Sequence, residues 1–195
     1  MPLAKEIFDG WHGYIRNHIH KVYPDQRLNF DVLTMFWYAD LLHLQSTEKL
    51  LNGDAGKVIR ADELKFMSKV TNRYYLVAES GSDLLEESLS PWSVGLKKSK
   101  IATTKLIVLV PRNATKKWST IVGNFESNNR AYKPLYWVNN HIKNKPESEF
   151  QEISELWFAN LNEAEKAVSN WHRELSGIII LYVSPCPSVS LEKQC

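Results

Sequence analysis

The residues with the clearest chemical potential are two carboxylates, Asp62 and Glu79. Residues 57–67 (KVIRADELKFM) and 73–79 (RYYLVAE) read as strands, joined by Ser68-Lys69-Val70-Thr71-Asn72. If that hairpin closes around Val70-Thr71, Leu64 faces Val77, Phe66 faces Tyr75 and Asp62 faces Glu79. Side chains alternate along a strand, so these six share one face, apolar except where the two carboxylates stand opposite each other. Cross-strand partners sit about 4.5–5.5 Å apart at Cβ, and like charges there repel. A positive charge between them relieves the repulsion. It can be a divalent cation with oxygen ligands, or equally a nearby Lys or Arg. A slip of one residue in register removes the arrangement.

A helix, a glycine turn, an Ala61-Asp62 strand start, a hairpin and then Tyr74-Tyr75-Leu76-Val77-Ala78-Glu79-Ser80-Gly81-Ser82 form a recognisable order. It resembles the core of the PD-(D/E)XK nuclease superfamily, in particular restriction endonucleases whose second motif ends E-[ST]-G. The resemblance covers roughly residues 31–125. It implies a restriction endonuclease-like core and a Mg²⁺-dependent endonuclease. Asp62 would be the first metal ligand and Glu79 would fill the last position of the second motif. The carboxylate that the family places two residues earlier is Val77 here. Either Glu79 shifts to become the ligand, or the site is degraded and the fold only binds. Glu48, on the preceding helix, is a further candidate ligand. Lys97, Lys98 or Lys100 could supply the positive charge. In such a site Mg²⁺ polarises the scissile phosphate and activates a water, while a lysine stabilises the charge that develops. A competing register uses Glu63-Leu64-Lys65 as the E-x-K, with Asp54 upstream.

The second signal is a charge split. Between Val94 and Lys145 lie Lys97, Lys98, Lys100, Lys105, Arg112, Lys116, Lys117, Arg130, Lys133, Lys143 and Lys145, against Glu126 alone. The next stretch reverses sign with Glu147, Glu149, Glu152, Glu155, Glu163 and Glu165. A basic face inside a chain of net charge +2 suits a phosphate backbone. Lys97, Lys98, Lys100, Arg112, Lys116, Lys117, Arg130 and Lys133 are its candidate nucleic-acid contacts. Trp92, Trp118, Phe125, Tyr132, Tyr136 and Trp137 interleave with it and could stack on bases. The alternative is a solvated face that keeps the protein soluble. The function expected is therefore a metal-dependent nuclease-like domain, or a non-catalytic nucleic-acid- or protein-binding module on the same frame. A homodimer or protein partner is compatible with either.

These residues need a frame. At 195 residues and 44% hydrophobic content, one α/β domain with a mixed central sheet and flanking helices is expected over 1–185, with a loose tail at 186–195. Residues 3–23 read as a helix ending before Tyr23-Pro24-Asp25. A second helix runs from an Asp31 cap through Leu33, Phe36, Trp37, Leu41, Leu44 and Leu51 to Asn52-Gly53, followed by a turn over 53–56. Residues 83–89 read as a short helix. Lys105–Val110 (KLIVLV) reads as a buried strand, followed by a helix from Asn113 or Thr115 to about Phe125. Residues 132–138 read as a strand, which Pro134 assigns to an edge. Glu155–Ala159, a helix from Asn160 or Asn162 to Leu175 capped by Gly177, and Ile178–Val183 form a βαβ unit with a parallel strand pair.

Other constellations are weaker. His18 and His20 would share a face on a strand and could begin a zinc site, but diverge on the expected helix. His43, His141 and His172 are isolated, there is no G-x-S-x-G, and VPRNATKKW lacks the glycines of a phosphate loop. A small-molecule enzyme built on the βαβ unit has no cofactor fingerprint behind it. Cys186 and Cys195 do not make a disulfide framework, which favours a reducing compartment. No stretch approaches a membrane span and the N-terminus lacks a signal-peptide core. A cytoplasmic or nuclear location without membrane contact is expected.

Overall fold

The run Thr104–Pro111 (TKLIVLVP) is apolar on consecutive positions, as a strand covered on both faces must be. It forms β4 and lies at the centre of the sheet. Its residues from Lys105 to Val110 are all buried. In the computed structural model, residues 11–38, 40–63, 75–81, 104–126, 133–143, 148–174 and 177–187 are described. Around β4 stand β1 (Trp11–Tyr23), β2 (Val32–Tyr38), β3 (Val77–Gly81), β5 (Tyr136–Ile142), β6 (Phe150–Phe158) and β7 (Ile179–Pro187). The helices are α1 (Leu41–Asn52), α2 (Asp54–Glu63), α3 (Thr115–Glu126) and α4 (Leu161–Glu174).

The sheet order is β2-β1-β7-β4-β6-β5-β3, and every pairing among these strands is antiparallel. The α/β class expected from sequence is present, but the mixed sheet is not. The βαβ unit is split: β6 and β7 run in the same direction with β4 between them, so no parallel pair forms. In the same way β4 and β5 flank β6. The series β4-α3-β5-β6-α4-β7 with spatial order β7-β4-β6-β5 is the connectivity of a ferredoxin-like βαββαβ motif. β1, β2 and β3 extend that motif on both sides.

Helices α3 and α4 cover one face. Trp118 and Ile121 from α3 and Ala164, Ala167, Val168 and Trp171 from α4 pack on Leu106, Val108, Leu156, Phe158 and Ile180. Trp118 and Trp171 meet edge to face at 5.7 Å, the arrangement aromatic quadrupoles prefer. The opposite face carries Ile107, Leu109, Ile153, Leu181 and Val183, with Ile19, Leu33, Met35 and Val77 packed against them.

Several expectations are corrected. Residues 11–23 form a strand, not a helix. Ile15, Asn17 and Ile19 alternate with Arg16, His18 and His20. A bulge between Ile19 and Lys21 then shifts the phase, so Val22 joins Ile19 on the same core. The helix expected over 31–51 is β2 followed by α1, capped by Asp40, whose Oδ1 accepts from the His43 backbone N–H at 2.8 Å. Asn52-Gly53 closes it as expected, with Gly53 N–H donating to Lys49 and Leu50 carbonyls. Asp54 then starts α2 rather than continuing a turn. Pro134 precedes β5, which is an inner strand between β6 and β3. β7 extends through Cys186 and Pro187, beyond the expected start of the tail. The expected helix at 83–89 lies outside the described residues.

Candidate functional site

The segment expected to form the first strand of the hairpin is helical over Asp54–Glu63. Asp62 lies in α2, a helix whose Lys57 Nζ pairs with Asp54 at 2.7 Å. Glu79 lies in β3, in register with Asn140 of β5. The run KVIRADE resembled a strand because Val58 and Ile59 are β-branched. Asp54, Ala55, Lys57, Arg60, Ala61 and Glu63 suit a helix equally well, and the packing of α2 on α1 selects it. Glu48 is exposed on α1, and α1 packs on α2 and on β2. β2 and β3 are the two opposite edges of the sheet. Glu48 and Asp62 thus stand on two helices that pack on each other, and Glu79 stands on the edge strand β3. In the competing register Asp54 and Glu63 are the two ends of α2, and Lys65 lies outside the described residues. Among the described residues, no group of three or more His, Cys, Asp or Glu is placed to hold a metal.

The basic stretch divides. Lys105 is 1% exposed and belongs to the core. Its Nζ donates to Glu155 Oε2 at 2.6 Å and to Asn17 Oδ1 at 2.8 Å, and lies 4.8 Å from the centre of the Trp157 ring. Glu155 Oε1 also accepts from Asn140 Nδ2 at 3.1 Å, and Asn17 Nδ2 donates to the Leu33 carbonyl. One buried ion pair thus links β1, β2, β4, β6 and β5 on the face opposite the helices. Lys133 leans over Trp137 with its Nζ 5.5 Å from the ring centre. Lys97, Lys98, Lys100, Arg130 and Lys145 lie outside the described residues.

Arg112, Lys117 and Lys143 are exposed at a single end of the sheet, where β4 and β5 stop and α3 starts. Lys116 occupies the same turn of α3 as Lys117. Arg112 is braced there: its Nε donates to the Ser148 carbonyl at 2.7 Å and its Nη1 to Gln151 Oε1 at 3.0 Å. Exposed Glu149 is an acidic neighbour. The N-terminus of α3 adds its partial positive charge to this end.

Beneath it, on the helix-covered face, is a polar cluster that sequence reasoning missed. Glu152, 4% exposed, accepts from Trp118 Nε1 at 3.0 Å and from the Ser154 hydroxyl at 2.5 Å through Oε1. Its Oε2 lies 3.1 Å from Nδ1 of His141, whose side chain keeps 41% of its surface exposed. Ser154 Oγ also contacts Asn139 Oδ1 at 3.0 Å and Trp118 Nε1 at 2.9 Å. A hydroxyl has one proton to donate. Ser154 therefore donates to Glu152 Oε1 or to Asn139 Oδ1, one at a time. His141 and Glu152 are directly opposed across β5 and β6, a pairing invisible until the register is known.

His18 and His20 do lie on a strand, but the bulge separates them, and His20 Nε2 meets Ser184 Oγ at 2.6 Å. No described helix is long and apolar enough to cross a membrane. Compared with family models, curated proteins and solved structures, the chain matches none.

Proposed function

We propose that this chain is a binding module for the phosphate backbone of nucleic acid, and that it engages that backbone at the end of the sheet where α3 begins. The observation that supports this reading is the exposure of Arg112, Lys117 and Lys143 together at that end, beside a helix N-terminus. Arg112 is pre-oriented by its two hydrogen bonds, so little side-chain entropy remains to be lost when it grips a phosphate. The binding reading needs no metal. A metal-dependent nuclease using Asp62 and Glu79 is a separate proposal. Its test is Mg²⁺-dependent cleavage of mixed nucleic acids that is lost in Asp62→Ala and Glu79→Ala.

The test of the binding reading is fluorescence anisotropy with labelled single-stranded RNA and DNA, repeated from about 50 to about 200 mM salt. Affinity should fall steadily with salt, and Lys117→Glu with Lys143→Glu should weaken it at every salt concentration. Binding indifferent both to salt and to those two reversals would reject the reading.

A further inference from the structure

The two edges of the sheet differ in what they offer another strand. Among the described strands, β2 pairs with β1 alone and β3 with β5 alone. The Ile19 N–H donates to the Asp31 carbonyl, which sets the phase of the β1–β2 ladder. Leu33 and Met35 are then the residues that bond to β1, while the N–H and C=O of Val32 and Thr34 point away from it. The strand VLTMFWY has no charge, proline or glycine, so it lacks the features that usually guard an edge. Val32, Thr34 and Phe36 share one face and are exposed. Apolar surface is concentrated in this region. Of the nine exposed large apolar side chains among the described residues, Phe30, Val32, Phe36, Leu41 and Leu42 fall within residues 30–42. β3 is shorter, with Glu79 as the middle of its five residues, so pairing with itself would set two acidic residues opposite each other.

We propose that two copies of this chain pair through β2 about a two-fold axis at Thr34, joining their sheets edge to edge. The occupant of the edge is a second copy because the strand is its own complement. In antiparallel pairing centred on Thr34, the two Thr34 residues exchange backbone bonds, and Val32 of each copy stands beside Phe36 of the other. Thr–Thr and aromatic–β-branched neighbours are favourable cross-strand pairs. No like charges meet, since the strand is neutral. On the opposite face Leu33 of one copy meets Met35 of the other, and both already pack on the cluster of Ile107, Leu109 and Leu181. The join therefore continues an apolar face that each copy has built. A two-fold pairing uses up β2 on both copies and leaves the β3 edges, where Glu79 opposes further addition, so association closes at a dimer. The proposal is independent of the nucleic-acid reading above.

The experiment is sedimentation equilibrium of the full chain under reducing conditions, which should give twice the chain mass and shift toward the monomer on dilution. Thr34→Lys sets two ammonium groups together at the axis and should halve the mass. Its circular dichroism should match wild type, because the backbone groups of Thr34 do not serve β1. Thr34→Cys, in a chain that also carries Cys186→Ser and Cys195→Ser, should form a covalent dimer on mild oxidation. Directly opposed Cα atoms in a hydrogen-bonded antiparallel pair are about 5.5 Å apart, a distance a disulfide spans. If Thr34→Lys fails to fold, the cross-link decides. A wild type that is monomeric at every concentration, a folded Thr34→Lys that keeps the wild-type mass, no cross-link through Cys at position 34, or assembly beyond two copies would each overturn the proposal.

Discussion

Lys105 shows how far a residue's surroundings can reverse the meaning of its charge. Its type and neighbours in the chain place it in a basic stretch, yet its ammonium lies inside the sheet against Glu155 and Asn17. A buried ion pair is costly to desolvate, and breaking it by removing one partner costs about 3–5 kcal/mol. Lys105→Met and Glu155→Leu should each fall in that range in urea unfolding. The double variant should lose clearly less than the two losses added, because no charge is then left unpaired. Tyr182 gives a second prediction at this scale. Burial first, then the Glu165 carboxylate and Tyr23, push its hydroxyl from 10.0 up to about 12. The folded state therefore holds that proton more tightly than the unfolded chain does. The resulting stabilisation is complete below pH 10.0, and wild type should lose it relative to Tyr182→Phe between pH 10.0 and about 12. Urea midpoints for both proteins across that window check the sign.

At the scale of elements, local signals competed and packing decided. The phase of β1 changes at its bulge, so its alternation resembles an irregular helix when read straight through. The stretch after Gly53 contains strand-favouring Val58 and Ile59 within a series of helix formers, and it folds as α2 against α1. Gly56 is what permits this contact. A Cβ there would run into the backbone of Leu51, which cannot move aside without shifting the end of α1. Gly56→Ala should therefore cost about 1–3 kcal/mol, as overpacking does, even though alanine favours a helix. Urea unfolding of that variant measures the loss, and a gain in stability would mean that α1 and α2 do not pack in this way. By contrast β4, β7, α3 and α4 were legible, because an uninterrupted apolar run and a helical stripe ending at left-handed Gly177 each admit few alternatives.

At the scale of the molecule, the sheet gathers residues that lie far apart in the chain. Arg112 from the end of β4, Lys117 from α3 and Lys143 from the end of β5 reach one end because both crossovers of the βαββαβ unit run past a strand. If all three meet phosphates, the slope of log affinity against log salt for a single strand should be about −2, at about −0.7 per neutralised charge. Reversing Lys117 and Lys143 should flatten it. Within the acidic stretch after Lys145, Glu152 and Glu155 turn inward, one toward each face of the sheet, while Glu149, Glu163 and Glu165 stay exposed.

The amino-acid sequence by itself determined that the chain makes an α/β fold with a β4-like buried strand, two amphipathic helices over its second half and a stretch rich in lysine. These follow from periodicity and composition, which act between residues close in the chain. Only the tertiary structure decided that every strand pairing is antiparallel, that Asp62 and Glu79 occupy a helix and an edge strand, that Lys105 is sequestered, and that His141 stands opposite Glu152. Register and strand order are set by side chains meeting across the sheet, and those contacts leave no local pattern along the chain.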